Sequence, residues 1–398
     1  MAPSSRVPLL IGGQEGAMTS FADCPIDSNA ILGDIERIVR IESPTGDTGG
    51  VNRVLDVIAA WFEGTGAHIE RSNIGDRLGD LLCVRCHPDS REPGILVLSH
   101  VDTVHPVGTL AQTLPYRRDG DKVYGPGVYD MKGGLVLAIA AYQRLARAKA
   151  NLPLPITFLF NPDEEVGSTG SRRSIEAEAV RNRYVLVTEP KRNGGKIVTQ
   201  RKGTGRFRIQ THGRPAHSGG SHEKGRSAIR AMAKIILEIE AFTDYSRGIT
   251  TNVGLINGGT AVNVIPELCT IEADVRVSDM AAAAEMEERF AALKSGDPDV
   301  EVRVTGGLNR PPLARSPGGD DLFAKTAEIA SRLGLKLESD GLSGGGSDGN
   351  LTAAKGIATI DGLGVDGDGA HTNHEHLLYS SIEPGTRLMQ GLFETLGR

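Results

Sequence analysis

Four short apolar runs in the chain lead into acidic or histidine side chains, and no other feature constrains the fold as strongly. Ile95-Leu96-Val97-Leu98-Ser99 leads to His100 and Asp102, residues 156–160 lead to Asp163, Glu164 and Glu165, and residues 184–188 lead to Glu189. Ile357-Ala358-Thr359-Ile360 precedes His371 by a glycine-rich loop. Runs this short and this β-branched read as buried strands of a parallel sheet. In open α/β sheets ligands bind beyond the carboxyl ends of the strands. Carboxylates and imidazoles delivered there by separate strands converge, and such a donor set points to metal.

The rest of the chain fits a sheet of this kind. Ser28 is expected to cap a helix through about Val39, residues 51–64 are amphipathic, and strands follow at about 80–86 and 95–99. Residues 134–148 form a largely apolar helix with Arg144 and Arg147 late in it, where cations suit the helix dipole. This alternation predicts an α/β fold with a mainly parallel sheet. From about Gly203 the pattern changes. Residues 206–210 alternate, Ile229, Met232, Ile236 and Ile239 recur at helical spacing, and 252–256 is a short strand. Cys269, Ile271, Ala273, Val275 and Val277 then alternate with polar partners, Asp279 caps a helix over 280–293, and Val300, Val302 and Val304 alternate again. The order β-α-β-β-α-β is that of a ferredoxin-like α+β unit.

The expected organisation is therefore an unstructured stretch over 1–20, an α/β domain over 21–202 and 311–398, and an inserted domain over 203–310. Met18 is a second candidate start. A chain of 398 residues is long enough for two cores. Its net charge of -6, with no basic run, argues against nucleic acid and anionic membranes as partners. No stretch approaches the roughly 20 apolar residues of a membrane span, and the apolar run Val7 to Ile11 is shorter than a signal peptide needs. A cytoplasmic location with reduced thiols is the expectation. Cys83-Val84-Arg85-Cys86-His87 matches a haem-attachment pattern. Its setting reads as a strand, which would put the two thiols on opposite faces and make them small apolar residues.

At the strand ends, His100 and Asp102 are two residues apart and face the same side of an extended chain. A metal-bound imidazole usually donates its other N–H to a carboxylate, a role open to Asp102. Asp130 lies in Gly125-Pro126-Gly127-Val128-Tyr129-Asp130-Met131-Lys132-Gly133-Gly134, whose glycines permit close approach to a ligand; taken alone, it would read as a helix cap. Three adjacent carboxylates at 163–165 repel unless cations hold them. Neighbours in extended chain point apart, so Glu164 and Glu165 can divide the work, one on metal and one facing the attacking water. Glu189 is a further strand-end carboxylate, and residues 369–376 supply His371, His374 and His376, among which spacing does not choose. Two histidines with three carboxylates, one of them bridging, suit a pair of zinc-like ions better than one structural zinc, which favours thiolates. Ions roughly 3.5–4 Å apart polarise a carbonyl and generate hydroxide near neutral pH, the chemistry of hydrolysis.

The segments that carry these residues resemble one family. They are residues 99–104, Gly125-Pro126-Gly127 with 130–134, Asn161-Pro162-Asp163-Glu164-Glu165-Val166-Gly167-Ser168, Thr188-Glu189-Pro190, Gly213-Arg214-Pro215-Ala216-His217-Ser218 and Gly344-Gly345-Gly346-Ser347-Asp348. The chain is similar over 31–398, with motifs in the family's order, to the two-zinc aminoacylase and carboxypeptidase family, and most of all to its bacterial glutamate carboxypeptidase branch. The resemblance implies that His100 and Glu189 hold one zinc, Glu165 and His371 the other, and that Asp130 bridges. It implies a cis Asp130-Met131 peptide, Asp102 as partner of His100, and Glu164 as general base acting on water between the metals. It makes the inserted domain a lid and homodimerisation domain, with His217 reaching toward the tetrahedral intermediate. Asn263, Arg276, Arg310 and Ser347 would meet the substrate, and Lys196 would join them if a one-residue gap is allowed. Arg276 has a rival reading as a surface ion pair, since Glu272 and Asp274 share its strand face. Cobalt or manganese suits the same ligands as zinc. The implied substrate is an N-acyl amino acid or a small peptide with a C-terminal, glutamate-type residue. The alternatives are a deacylase acting on acetylornithine or succinyl-diaminopimelate and, more remotely, a non-catalytic metal-binding member.

Overall fold

The computed structural model describes residues 25–398. The expectations for residues 1–20 and for a start at Met18 lie outside the described residues. Gly94–His100, Ile156–Asn161, Asn182–Val187 and Ala358–Ile360 are parallel strands of a six-stranded sheet, with Gly94–His100 between the second and third of these. His68–Asn73 and Asp80–Arg85 extend one edge as an antiparallel hairpin. Every residue of Gly94–His100 and of Ile156–Asn161 is buried, as strands covered on both faces must be.

The two faces are legible residue by residue. Ile95 and Val97 pack into one apolar cluster with helices Ser28–Val39, Thr48–Phe62, Gly133–Arg147 and Ile382–Thr395. Leu96 and Leu98 pack into another with Ile175, Ala179 and Leu351, from helices Arg172–Ala179 and Gly349–Ala354. The cysteines follow the same rule. Cys86 lies in the first cluster and Cys83 in the second, so the two thiols do face opposite sides of the sheet. Burial pushes both thiols up to about 12, which leaves them without nucleophilic thiolate at neutral pH.

One expected cap is displaced. Asp27, not Ser28, caps the first helix, because its backbone is extended and its carboxylate accepts from the N–H groups of Asn29 and Ala30. Asp279 caps Met280–Ala291 as expected, accepting from Ala282 N–H at 2.8 Å.

Gly203–His212, Ala228–Glu240, Thr250–Gly258, Leu268–Val277, Met280–Ala291 and Glu301–Arg310 follow one another as strand, helix, strand, strand, helix, strand. Their antiparallel sheet has Thr250–Gly258 at one edge and Glu301–Arg310 at the other, with Gly203–His212 and Leu268–Val277 inside. A separate core of Phe207, Ile209, Met232, Ile235, Ile271 and Phe290 holds this ferredoxin-like unit together. The chain is thus an α/β domain interrupted by an α+β domain.

A further four-stranded sheet has no counterpart in the sequence reading. Arg117–Asp119, Lys122–Tyr124, Gly367–Asp368 and His376–Leu378 pair antiparallel. Strands of two or three residues are too short to show a period. This sheet brings together two loops far apart in sequence. Lys122–Tyr124 runs into the Gly125–Asp130 loop, and the Gly367–Asp368/His376–Leu378 hairpin carries His371. The fourth apolar run therefore does not deliver His371 at its own strand end, where Asp361 stands instead.

Candidate metal centre

His100 ends its strand flanked by the two neighbouring strands, whose ends lead to Glu164 and Glu165 on one side and Glu189 on the other. Its register partner is Asn161. The His100 Nε2 atom lies 3.2 Å from Asp130 Oδ1 and 3.7 Å from Glu189 Oε1. The His371 Nε2 atom lies 3.5 Å from Asp130 Oδ2 and 3.2 Å from Glu165 Oε2. Two groups result, His100 with Asp130 and Glu189, and Asp130 with Glu165 and His371; within each, one potential ligand atom per residue lies within 4.8 Å of the others. Asp130 belongs to both and offers a different oxygen to each. His374 is exposed, and His376 turns to the Tyr124 ring with its Nδ1 against the backbone oxygen of His374.

The electrostatics are those of a cation site. Burial raises the carboxyl of Glu189 well above the usual range, reinforced by repulsion from Asp130. Burial likewise raises Glu165, with Asp130 again repelling, and Glu165 Oε1 is buried without a hydrogen-bond partner. Burial would also raise Asp130, but hydrogen bonds from His100 and His371 prevail and hold it below the usual range. Asp130 and Glu165 push the His371 imidazole up to about 11. A divalent ion in each group would take the place of these protons and satisfy the orphaned oxygen. Nitrogen and carboxylate donors without thiolate fit zinc, cobalt or manganese.

Beneath the ligands lies a set of bonds that aims them. The Asp102 carboxylate accepts from Thr45 Oγ1 at 2.7 Å and from the N–H groups of Glu164 and Glu165 at 3.2 Å each. His100 Nδ1 is 2.9 Å from the backbone oxygen of Asp102 and 3.4 Å from its carboxylate, so the main chain is its nearer partner. Asp163 turns away from the site and accepts from Gly170 N–H and the Ser171 hydroxyl, which separates it from the other two acids of its run. The Asp130-Met131 peptide is cis.

Residues 96–395 match the family described as peptidase family M20/M25/M40. The chain belongs to this family. It is 33% identical over 361 residues to carboxypeptidase G2 of Pseudomonas sp. (strain RS-16), an alignment that covers 89% of this chain and 86% of that protein. Among solved structures, a tripeptidase from Staphylococcus aureus shares the fold with a TM-score of 0.77 at 22% identity, covering 93% of this chain and 98% of the other. A Bacillus subtilis protein, YXEP, described as a dinuclear metal binding peptidase, matches with a TM-score of 0.65 at 18% identity, covering 92% and 96%.

Two residues of this M20 metallopeptidase to which the sequence assigned no role, Glu375 and His105, brace the centre. The Glu375 carboxylate accepts from three N–H groups of one loop, Gly127 at 3.0 Å, Tyr129 at 2.9 Å and Asp130 at 3.0 Å, and its Oε2 lies 2.6 Å from His105 Nε2. A buried acid four residues after a candidate ligand histidine was the available signal. The expected substrate residues are scattered. Ser347 is fully buried, and its hydroxyl donates to Asp361. Arg310 is buried against Glu164 and Asp348. Arg276 makes a two-point ion pair with Asp274, at 2.7 and 2.9 Å. Lys196 lies 3.9 Å from Glu338. His217 and Asn263 are both exposed on the inserted domain, where Val264 pairs with His217 and Asn263 accepts from Ser218 N–H.

Proposed function

We propose that this metallopeptidase hydrolyses the amide bond of an N-acyl amino acid or of a small peptide ending in a glutamate-type residue, at a centre of two divalent ions. The observation that carries this reading is Asp130 standing between two donor groups with one oxygen toward each. His100 and Glu189 would hold one ion, Glu165 and His371 the other, and Asp130 both; zinc is the proposed metal. Bound there, such ions supply Lewis acidity toward the amide carbonyl and acidify water.

The chain's own groups supply the rest. Glu164 takes the proton of the attacking water and returns it to the leaving amine nitrogen. Burial raises its carboxyl above the usual range and Arg310 pulls it back, while cations in the two donor groups would favour the carboxylate that accepts the proton. His217 donates to the oxygen that gains charge in the tetrahedral state. Its Nδ1 accepts from the N–H groups of Gly219 and Gly220 at 3.1 and 3.0 Å, which leaves Nε2 as the ring's donor. Arg276 and Asn263 would receive the substrate carboxylate, in competition with Asp274.

The inserted domain supports self-association through a second copy. Among the described residues Thr250–Gly258 is paired on one side only, with Leu255 and Ile256 exposed on it and Val262 exposed just beyond it. Leu237 and Ile229 on the adjoining helix are exposed too, with Ile229 seated against Gly259. An apolar edge of this kind is a liability unless covered.

The test is a panel. Chelator-stripped protein, reloaded with zinc, cobalt or manganese, is assayed on N-acyl-glutamate, N-acyl-aspartate, acetylornithine and succinyl-diaminopimelate while bound metal is counted. Two ions per chain and fastest turnover of the glutamate compound are expected. Faster turnover of acetylornithine or succinyl-diaminopimelate would establish the deacylase alternative, and a single bound ion would sink the paired centre.

A further inference from the structure

The inserted domain joins the large domain through two chain crossings, one through Arg201 and one through Arg310. They run together: Arg201 and Leu313 exchange both backbone hydrogen bonds, at 2.9 and 3.0 Å. Each crossing carries a buried arginine. Arg201 donates to Asp361 Oδ2 at 2.7 Å and to the backbone oxygen of Gly345 at 3.1 Å. Arg310 Nη2 lies 3.0 Å from Asp348 Oδ1. The glycine-rich loop fastens both, since Ser347 donates to Asp361 while Asp348 takes Arg310. Gly346 packs so closely that a Cβ there would come within 3.2 Å of Arg310 Cδ. The motif expected to touch substrate through Ser347 thus also lies at the junction.

Arg310 reaches further than Asp348. The same Nη2 lies 2.9 Å from Glu164 Oε1 and 3.0 Å from the Glu164 backbone oxygen, a hold on both the side chain and the main chain of one residue. Asn309 adds two bonds: its Nδ2 donates to Gly167 O at 3.0 Å, and its backbone oxygen accepts from Arg172 Nη1 at 2.7 Å. The last two residues of the inserted domain's final strand are therefore bonded to the 164–172 segment that carries Glu164 and Glu165. Arg310 itself is 6% exposed, which leaves little guanidinium surface for a substrate.

We propose that Arg310 is a positioning residue for Glu164, and that with Asn309 it ties the aim of that carboxylate to the seating of the inserted domain. The inference rests on Glu164 being the general base. A planar guanidinium fixes direction where a flexible ammonium does not. A turn of the inserted domain about its crossings would shift Asn309 and Arg310 and drag the 164–167 segment with them. Domain closure would then also be the event that aims the base.

Arg310→Lys, Asn309→Ala and Glu164→Gln test this beside the wild type. Each is zinc-loaded and followed over a full saturation curve with the panel compound the wild type turns over fastest, with bound metal and thermal midpoint measured on the same preparations. In Arg310→Lys, kcat should fall about 10²-fold, the loss expected for a displacement near 1 Å, with KM within about threefold and both metals retained. Asn309→Ala should lose about tenfold in kcat with KM unchanged. A raised KM with kcat retained in Arg310→Lys would overturn the inference and return Arg310 to substrate binding. Wild-type kcat in Glu164→Gln would instead remove the base assignment itself. If Glu164→Gln is inactive while Arg310→Lys and Asn309→Ala turn over normally, only the positioning inference fails. Should Arg310→Lys not fold, Asn309→Ala decides, and an unchanged kcat there counts against the inference.

Discussion

The two domains hold their site residues in opposite ways. In the large domain the segments carrying Glu165 and Asp130 are braced from beneath: Asp102 ties Thr45 to the Glu164 and Glu165 amides, and Glu375 ties three amides of the Asp130 loop to His105. In the inserted domain His217 and Asn263 stand on an exposed surface, and the His217 ring takes its hydrogen bonds from Gly219 and Gly220 of its own loop. A metal centre must exist before substrate arrives, because closely spaced buried carboxylates repel one another and need a scaffold to stay together. A donor to the tetrahedral state is needed only during turnover, and it can arrive by domain movement or from a second copy.

The contrast predicts effects that differ in kind as well as in size. Glu164→Gln should leave metal content intact while kcat falls by about 10²–10⁴-fold, measured by steady-state kinetics beside metal analysis. Near-normal turnover would break the division of labour between Glu164 and Glu165. His217→Ala should also keep both metals but lose about 10²–10³-fold in kcat. Loss of metal in that variant would mean that the inserted domain helps to build the centre. Glu375→Gln should act on the other side of the comparison, weakening metal affinity by about 10–100-fold in a chelator competition. Metal affinity equal to wild type would show that the Asp130 loop holds its shape without that brace. The smallest effect on chemistry is expected from Leu255→Asp with Ile256→Asp, which should shift the chain toward monomer in light scattering with its metals retained. A wild type already monomeric would point to domain movement, rather than a second copy, as the source of His217.

Much of the large domain was legible because its signals are local. The runs at 95–99, 156–160 and 184–188 lie on buried parallel strands, and their ends carry His100, Glu164, Glu165 and Glu189. The β-α-β-β-α-β order of the inserted domain was equally clear, since alternation and helical spacing are both short-range patterns. What stayed hidden depends on distant pairing. Choosing His371 over its neighbours by geometry required the hairpin that pairs Gly367–Asp368 with His376–Leu378, strands too short to announce themselves. The brace by Glu375 spans 245 residues to Asp130, and nothing in either segment states that they meet. Ser347 and Arg310 are of the residue types that bind carboxylates, and the bonds they make at the domain junction, to Asp361, Glu164 and Asp348, were not visible in the sequence.

The sequence by itself determined the fold class, the inserted domain and the kind of donors gathered at the strand ends, because apolar period and residue chemistry are properties of short segments. Tertiary structure decided which carboxylate stands between two groups, which histidine joins it, and that the arginine entering and the arginine leaving the inserted domain are buried as its fastenings. Those outcomes depend on distances between segments tens to hundreds of residues apart, and such distances exist only once the chain has closed on itself.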